Sequence, residues 1–168
     1  MASSLFQKRG LDGVGLVTLM KAAGLSHGGF YGYFESRRAL VVEVLADTLD
    51  QALEEPTARS LDEFASTYLS RARNQSAGPG CALAYLGSDI ARLPPEDRKH
   101  VSKYVNERID QVASLRRTTG DVTDRSQAIS DIAVLLGTAV LLRAIDDEGL
   151  AVEIQDAVLG GMTKLAAE

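Results

Sequence analysis

Side chains that can form hydrogen bonds with another molecule are concentrated between His27 and Tyr33, in the stretch HGGFYGY. The imidazole of His27 and the hydroxyl groups of Tyr31 and Tyr33 can each donate and accept hydrogen bonds. The three glycines allow close approach of a partner, but they also lower the intrinsic helix propensity. We therefore expect a short helix that is held by packing of Phe30 and Phe34 and that offers its polar groups from the other side.

A second short helix is predicted just before this stretch. Four apolar residues recur at i, i+3, i+4 and i+7, the pattern of one buried helix face. They are Leu16, Leu19, Met20 and Ala23. Gly24 can adopt the left-handed backbone of a tight turn, and Ser26 is a favourable N-cap for the next helix. Two helices joined by so tight a turn cross steeply, as in a helix-turn-helix that presents its second helix to the major groove of DNA.

Further helices flank this pair. Residues 3–9 form helical turns that end at Gly10, and we expect them to be the last turns of a helix whose beginning this chain lacks. Ser36 is the predicted N-cap of a long helix that extends to about Leu53 and is ended by Pro56.

Charge is distributed unevenly along the chain, whose net charge is −5 at pH 7. Residues 1–45 carry five basic and three acidic side chains, whereas residues 46–168 carry 13 basic and 20 acidic ones. A mildly basic segment on an acidic body fits a small domain that contacts nucleic acid and a second domain with another task. We predict two domains, a head of residues 1–45 and a body of residues 46–168.

Residues 13–45 resemble the DNA-binding head of the TetR (tetracycline repressor) family of bacterial transcription regulators. The resemblance rests on motifs at fixed spacing, which are MKAAGLS at 20–26, GFY at 29–31, YF at 33–34, SR at 36–37 and AL at 39–40. The chain departs from the family at Gly15, where members usually have a Ser or Thr that caps the first helix of the motif. The resemblance implies an all-α protein with a tri-helical helix-turn-helix head on a helical body that binds a ligand and dimerises.

By the same resemblance, the second helix of the motif enters the major groove while flanking polar groups bind phosphates. The candidates for contact with base edges are Ser26, His27 and Gly28. The candidates for contact with phosphates are Lys21, Tyr31, Tyr33 and Arg37. The chemistry agrees, because hydroxyl and imidazole groups can hydrogen-bond with bases or phosphate oxygens, and an arginine adds charge that releases counterions.

The body is predicted to be helical throughout. Its helices are expected at residues 61–73, 81–92, 96–117, 126–145 and 152–166, separated by Gly, Pro or acidic residues. The main apolar face of the fourth is predicted to be Ile129, Ile132, Ala133, Leu136, Ala139, Val140 and Ile145, with Leu135 and Leu142 beside it. The last two helices are so apolar that we expect them to form a homodimer interface.

Aromatic side chains and one thiol on three successive body helices are candidates for contact with a small-molecule ligand. They are Phe64, Tyr68, Cys81, Tyr85 and Tyr104. This composition suits a cavity between helices, and an ordinary core is an equally good interpretation of each residue. A redox role for Cys81 is less favoured than a plain buried thiol, since no basic neighbour in the sequence would activate it.

Other classes of protein are disfavoured. One cysteine and two distant histidines cannot form a disulfide or a four-ligand zinc site. The sequence contains no nucleophile elbow and no phosphate-binding loop, and no uninterrupted apolar run has the length of a membrane span. We therefore predict a cytoplasmic protein that is not an enzyme and that binds no metal or cofactor.

Two hypotheses follow. The first is a ligand-responsive transcriptional regulator, a repressor in the family's usual mode, that binds a palindromic double-stranded DNA operator as a homodimer and is released by a small-molecule inducer of unknown identity. The alternative is a dimeric helical sensor of small molecules in which DNA binding is weak or lost because the N-terminus is short.

Overall fold

The computed structural model describes residues 2–24, 26–54, 58–73, 81–118 and 125–164. All regular structure in these ranges is helical, which confirms the predicted all-α fold. The helices are α1 (Ala2–Arg9), α2 (Leu16–Ala23), α3 (His27–Tyr33), α4 (Arg37–Glu54), α5 (Leu61–Arg73), α6 (Ala82–Ala91), α7 (Lys99–Thr118), α8 (Arg125–Ala144) and α9 (Glu148–Lys164), with a short 3₁₀ helix (Pro95–Arg98) before α7.

The helix boundaries in the head follow the predicted caps. Gly24 ends α2 in the left-handed conformation, with φ at 67°. The hydroxyl oxygens of Ser26 and Ser36 accept hydrogen bonds from the amides of Gly29 and Ala39, both at 3.1 Å. These bonds satisfy amides that the first turns of α3 and α4 would otherwise leave unpaired.

Two boundaries in the body differ from the prediction. The chain before α7 forms a 3₁₀ helix that starts at Pro95, so the α-helix itself begins later than expected. Helix α9 begins at Glu148 rather than at residue 152, because Asp147 accepts a hydrogen bond from the amide of Leu150 at 3.0 Å and caps the helix. The breaks predicted at residues 56 and 77–80 and the chain after residue 164 lie outside the described residues. So does the polar loop predicted at residues 118–124, apart from Thr118, which is the last residue of α7.

Two clusters of buried apolar side chains form the core. One joins α5, α7, α8 and α9, and the other joins α1, α2, α4, α6 and the start of α7. The second cluster places Phe6 of α1 together with Leu45 of α4 and Leu86 of α6. Helix α4 thus packs against both parts of the chain, and residue 45 falls within it. The division into two domains at that residue stays a prediction.

The turn between α1 and α2 is held by two side chains that are distant in sequence. Gly10 has a positive φ of 71°, and the amide of Leu11 donates a hydrogen bond to Oδ2 of Asp89 on α6 at 2.7 Å. From the other side, Nε of Arg37 on α4 donates to the carbonyl oxygen of Val14 at 3.2 Å, and its Nη2 donates to the carbonyl oxygens of Leu11 and Val14. The start of α4 and the end of α6 therefore fix the segment that leads into α2.

Helix α8 buries a different face from the predicted one. Its buried side chains are Ala128, Asp131, Leu135, Thr138, Ala139 and Leu142. The predicted main face is only partly covered, and its members Ile129 and Val140 are 46% and 45% exposed. Because α8 is apolar on almost every side, its sequence pattern does not distinguish the face that packs on its own chain.

Helix α8 is also the one described helix whose length and apolar composition would suffice to cross a membrane. Buried helices of water-soluble proteins meet the same criterion. In this structure α8 packs against α5, α6, α7 and α9.

A buried ion pair fixes α7 against α8. Nε and Nη2 of Arg116 lie 2.5 and 2.9 Å from the carboxylate oxygens of Asp131, and both side chains are almost fully buried. The side-chain amide of Gln127 donates to the same carboxylate at 3.3 Å. A pair of this kind sets the register of two helices, because removing one partner leaves an uncompensated charge in the core.

We expect the substitution Arg116→Met to lower the free energy of unfolding by about 3–5 kcal/mol, because Asp131 would stay buried without its cation. Urea denaturation at a fixed protein concentration measures the change. The same substitution at the exposed neighbour Arg117 should change it by less than about 0.5 kcal/mol. Adding Asp131→Leu to Arg116→Met should recover most of the loss. A loss in Arg116→Met no larger than in Arg117→Met would contradict the role of the pair.

Candidate nucleic-acid interface

Helix α3 is anchored in the head by one buried aromatic side chain. Phe30 is 1% exposed, and its ring centroid lies 5.5 Å from that of Phe34. Burial of this ring and the cap at Ser26 support a helix in which three of seven residues are glycine. The position of α3 thus depends on its neighbours in the fold rather than on its own helix propensity.

The tyrosines of α3 are exposed to solvent. Tyr31 is 54% exposed and Tyr33 is 76% exposed, while the edge of the Tyr31 ring packs on Phe30 at a centroid distance of 5.2 Å. A Cβ atom built on Gly28 or Gly32 would meet no other atom within 4 Å. The backbone at these two glycines is therefore uncovered by other parts of the described structure, so that another molecule can approach it closely.

Helix α2 contributes the neighbouring part of this surface. Lys21, Thr18 and the capping Ser26 are exposed, as expected for Lys21 and Ser26. The exposed Val17 was not among the predicted site residues, although its position outside the apolar stripe of α2 could have indicated it. Its methyl groups are of the kind that contact the methyl group of thymine. His27 starts α3, and its side chain lies outside the described part of the structure.

Arg37 lies beneath the surface formed by α2 and α3. Its Nε and Nη2 are both bonded to carbonyl oxygens of the turn before α2, and the side chain is partly buried. The third nitrogen, Nη1, does not donate to these carbonyl oxygens. The structure therefore gives Arg37 a positioning role that the sequence did not indicate, and its contact with phosphate stays a prediction.

The next residue, Arg38, connects the head to the body. Its guanidinium lies 2.9 Å from a carboxylate oxygen of Glu96 and 2.5 Å from one of Asp97. The hydrogen bond from Arg38 holds the pKa of Asp97 below its usual range. This charge is therefore neutralised by the body, and Arg38 is not one of the groups that we assign to DNA.

Four of the five candidate ligand residues lie together in the body. The Phe64 and Tyr68 rings of α5 are 6.0 Å apart between centroids, and Sγ of Cys81 lies 4.0 Å from the hydroxyl oxygen of Tyr104 on α7. The guanidinium of Arg108 lies over the rings of Phe64 and Tyr104, at 5.9 and 5.3 Å. Burial raises the pKa of Tyr104 to about 12 and also raises that of Tyr68.

Arg108 was not predicted from the sequence. It follows Tyr104 by four residues on α7, a spacing that places two side chains on the same helix face, and its Nε donates to the Tyr104 hydroxyl at 3.3 Å. The i, i+4 spacing is thus a signal that could have found it. The side chain also donates to the backbone carbonyl of Ala52 on α4, so the aromatic cluster is tied to the helix that carries the head.

Tyr85 stands apart from this cluster. It lies one turn after Cys81 on α6, and the guanidinium of Arg143 lies 5.5 Å from the centroid of its ring. Its buried hydroxyl oxygen has no hydrogen-bond partner within the described ranges, and burial raises the pKa of this hydroxyl to about 12. Tyr85 also lines a small apolar cavity between α1, α4 and α6, beside Phe6 and Val44. It therefore belongs to the junction of head and body.

No group of three His, Cys, Asp or Glu side chains that could hold a metal ion occurs among the described residues.

Known proteins show similarity to both parts of the chain. The family model described as "Bacterial regulatory proteins, tetR family" matches residues 1–44. A comparison with curated proteins finds no match. The crystal structure of Escherichia coli NemR in its reduced form superposes with a TM-score of 0.76, at 21% identity over 95% of this chain and 91% of that chain.

Two crystal structures described as TetR-family transcriptional regulators are similar over almost the same length. The protein from Agrobacterium tumefaciens has a TM-score of 0.74, at 19% identity over 95% of this chain and 92% of that chain. The protein from Legionella pneumophila has a TM-score of 0.68, at 19% identity over 94% of this chain and 90% of that chain. Residues 1–44 therefore carry the sequence signature of the TetR family, and the chain as a whole has the fold of TetR-family transcriptional regulators.

Proposed function

We propose that this protein is a ligand-responsive transcriptional regulator of the cytoplasm, a repressor that binds a palindromic operator as a homodimer and is released by a small-molecule inducer. The observation that carries the proposal is the exposed surface of α2 and α3, where Lys21, Tyr31 and Tyr33 surround a backbone opened by glycines. The proteins that it resembles are transcription regulators, which are generally not enzymes.

In the proposed complex, α3 lies in the major groove. Its first residues, Ser26, His27 and Gly28, reach base edges, and the absence of a side chain at Gly28 lets the backbone approach them. The Ser26 oxygen already accepts the capping bond from Gly29, but its hydroxyl hydrogen remains available as a donor. Lys21, Tyr31, Tyr33 and Arg37 are proposed to contact phosphates, which fix the orientation of the head on the duplex.

The homodimer is proposed to form through α8 and α9. These helices leave apolar side chains exposed in the single chain, which is costly unless a partner covers them. They are Ile129, Val134, Val140, Leu141, Leu150 and Val152. A two-fold interface of this kind would place two copies of α3 on one side of the dimer, as two half-sites of a palindrome require.

An inducer is proposed to bind at the aromatic cluster of Phe64, Tyr68, Cys81 and Tyr104. Contact of the inducer with Tyr85, which stands apart from the cluster, rests on the sequence prediction alone. Binding there would have a route to the head, because Arg108 bonds to α4 and because Asp89 at the end of α6 holds the turn before α2. Such a ligand releases DNA only if it binds more tightly to the state in which the two heads no longer match the operator.

The alternative, a dimeric sensor with weak or lost DNA binding, keeps the same body. One observation favours it, since Gly15 provides no side-chain cap for the first helix of the motif. It differs from the main proposal in what the head does, so DNA affinity separates the two.

Substitutions Tyr31→Phe and Tyr33→Phe should each weaken binding to operator DNA about tenfold or more, because a hydrogen bond to a charged phosphate contributes about 1.5–3 kcal/mol. Fluorescence anisotropy with duplexes from the DNA that flanks the gene measures the affinity, and Tyr85→Phe is the matched control because it removes a hydroxyl from the body.

Lys21→Gln should reduce the slope of log affinity against log salt by about one, while Lys99→Gln should not. If the parent protein binds DNA and none of the head substitutions weakens that binding, the proposed contacts are wrong. If the parent protein does not bind DNA even at low salt, the result favours the sensor.

The substitution Arg37→Lys separates the positioning role of Arg37 from its charge. Lysine keeps the charge but lacks the planar guanidinium whose Nε and Nη2 donate to the two carbonyl oxygens from fixed positions. We expect hydrogen exchange of the amides from Leu11 to Leu19 to become about tenfold faster or more, and DNA affinity to fall with it. Exchange at the parent rate would show that Arg37 does not hold the turn.

The substitution Val140→Arg should convert the dimer to monomers, because two-fold symmetry buries the introduced charge twice. Sedimentation equilibrium at micromolar concentration measures the mass. Val17→Arg is the matched control, since it places the same charge on an exposed valine of the head and should leave the dimer intact. A Val140→Arg protein that sediments as a dimer would show that this face is not the interface.

A further inference from the structure

An open groove crosses the body on the side of α6 that faces away from the aromatic cluster. It has a volume of about 430 Å³ and lies between α6, the 3₁₀ helix, the start of α7 and the middle of α8. Leu83, Ile90, Val101 and Leu136 supply its apolar wall, and Gly87 forms part of its floor. A volume of this size falls in the range of sites for small molecules.

Arg98 lines this groove. Its side chain is partly buried, and its Nε is shielded from solvent without a hydrogen-bond partner among the described residues. The nearest carboxylates in the sequence, Glu96 and Asp97, are both engaged by Arg38. By contrast, Arg92, which also lies close in sequence, pairs with Asp89.

A partly buried arginine whose shielded Nε has no acceptor among the described residues, beside an apolar wall, favours an occupant with two properties. The first is an anionic group, because a shielded donor is costly until an acceptor satisfies it and the guanidinium is positively charged. The second is an apolar segment, which would cover the aliphatic wall formed by Leu83, Ile90 and Leu136. A carboxylate fits the planar guanidinium best, since it can accept two parallel hydrogen bonds.

We propose that this groove binds a small aliphatic carboxylate, with the carboxylate on Arg98 and the alkyl chain along α6 and α8. The site is separate from the aromatic cluster, because Leu83, Gly87 and Ile90 recur on one face of α6 while Cys81 and Tyr85 lie on another. It is also independent of DNA binding, so it stands whether or not the head contacts an operator.

Isothermal titration of the full chain with octanoate tests the proposal, with 1-octanol as the uncharged probe. We expect saturable binding of one octanoate per chain, and an affinity at least tenfold lower in Arg98→Gln. Binding of 1-octanol should be the same in the parent and in Arg98→Gln. The matched control is Arg117→Gln, which removes the same charge about 28 Å along α7 and should bind octanoate like the parent.

The substitution Gly87→Leu fills the groove without touching Arg98. A Cβ atom at this position meets no other atom within 4 Å, so the added side chain enters open space and the helix is not strained. We expect it to abolish binding of both octanoate and 1-octanol while the thermal unfolding temperature does not fall.

Three results would overturn the proposal. The first is the absence of saturable octanoate binding to the parent. The second is equal loss of affinity in Arg98→Gln and Arg117→Gln, which would indicate a general effect of charge. The third is a Gly87→Leu protein that binds octanoate normally but dimerises more weakly, which would show that a second copy of the chain covers the groove.

Discussion

Burial of the Phe30 ring is the interaction on which the head depends. Helix α3 contains three glycines, and these cost about 3 kcal/mol relative to alanines in the same places. Burying the Phe30 side chain contributes about 1.5–3 kcal/mol, and the Ser26 cap contributes about 1 kcal/mol. The cost of the glycines and the stabilisation from Phe30 and Ser26 nearly balance, so α3 depends on packing against its neighbours in the fold, among them α2. The glycines that make it weak are also what leaves its outer surface open.

The same dependence gives the proposed inducer a physical route from the body to the head. The turn from Gly10 to Val14 leads into α2, and it is held by Asp89 from the end of α6 and by Arg37 from the start of α4. Arg38 adds a second link, to Glu96 and Asp97 before α7. A displacement of α6 would therefore reach α2 and then α3 through a few named bonds. These links are polar and close to solvent, so they can rearrange at a smaller cost than the packed core.

Features that depend on local sequence were predictable. Ser26, Gly24 and Ser36 act where the sequence placed them, because a cap or a left-handed turn involves residues only a few positions apart. The start of α9 differs from the sequence prediction, because the acidic residues before it are expected only to separate two helices, whereas Asp147 caps α9. The positions that DNA would contact rest on resemblance and stay predictions.

Features that depend on distant contacts were not predictable. The bond from Leu11 to Asp89 joins residues 78 positions apart, and no pattern in the sequence indicates it. Helix α8 is apolar on nearly all sides, so periodicity could not show that Leu135 and Leu142 face the core while Ile129 and Val140 remain exposed. The hydrogen bonds from Arg37 to backbone carbonyl oxygens were also not predictable, because they join residues that are distant in sequence. From the sequence alone, an arginine at the start of a helix fits a phosphate contact equally well.

The proposed function requires that α3 contacts base edges in the major groove of a palindromic site as part of a dimer. Selection of binding sites from a pool of random duplexes, followed by dimethyl sulfate footprinting of the selected site, tests this contact directly. We expect an enriched palindrome with two half-sites about one helical turn or more apart, and protection of guanine N7 in the major groove of each half-site. Enrichment of no sequence, or protection confined to adenine N3 in the minor groove, would contradict it.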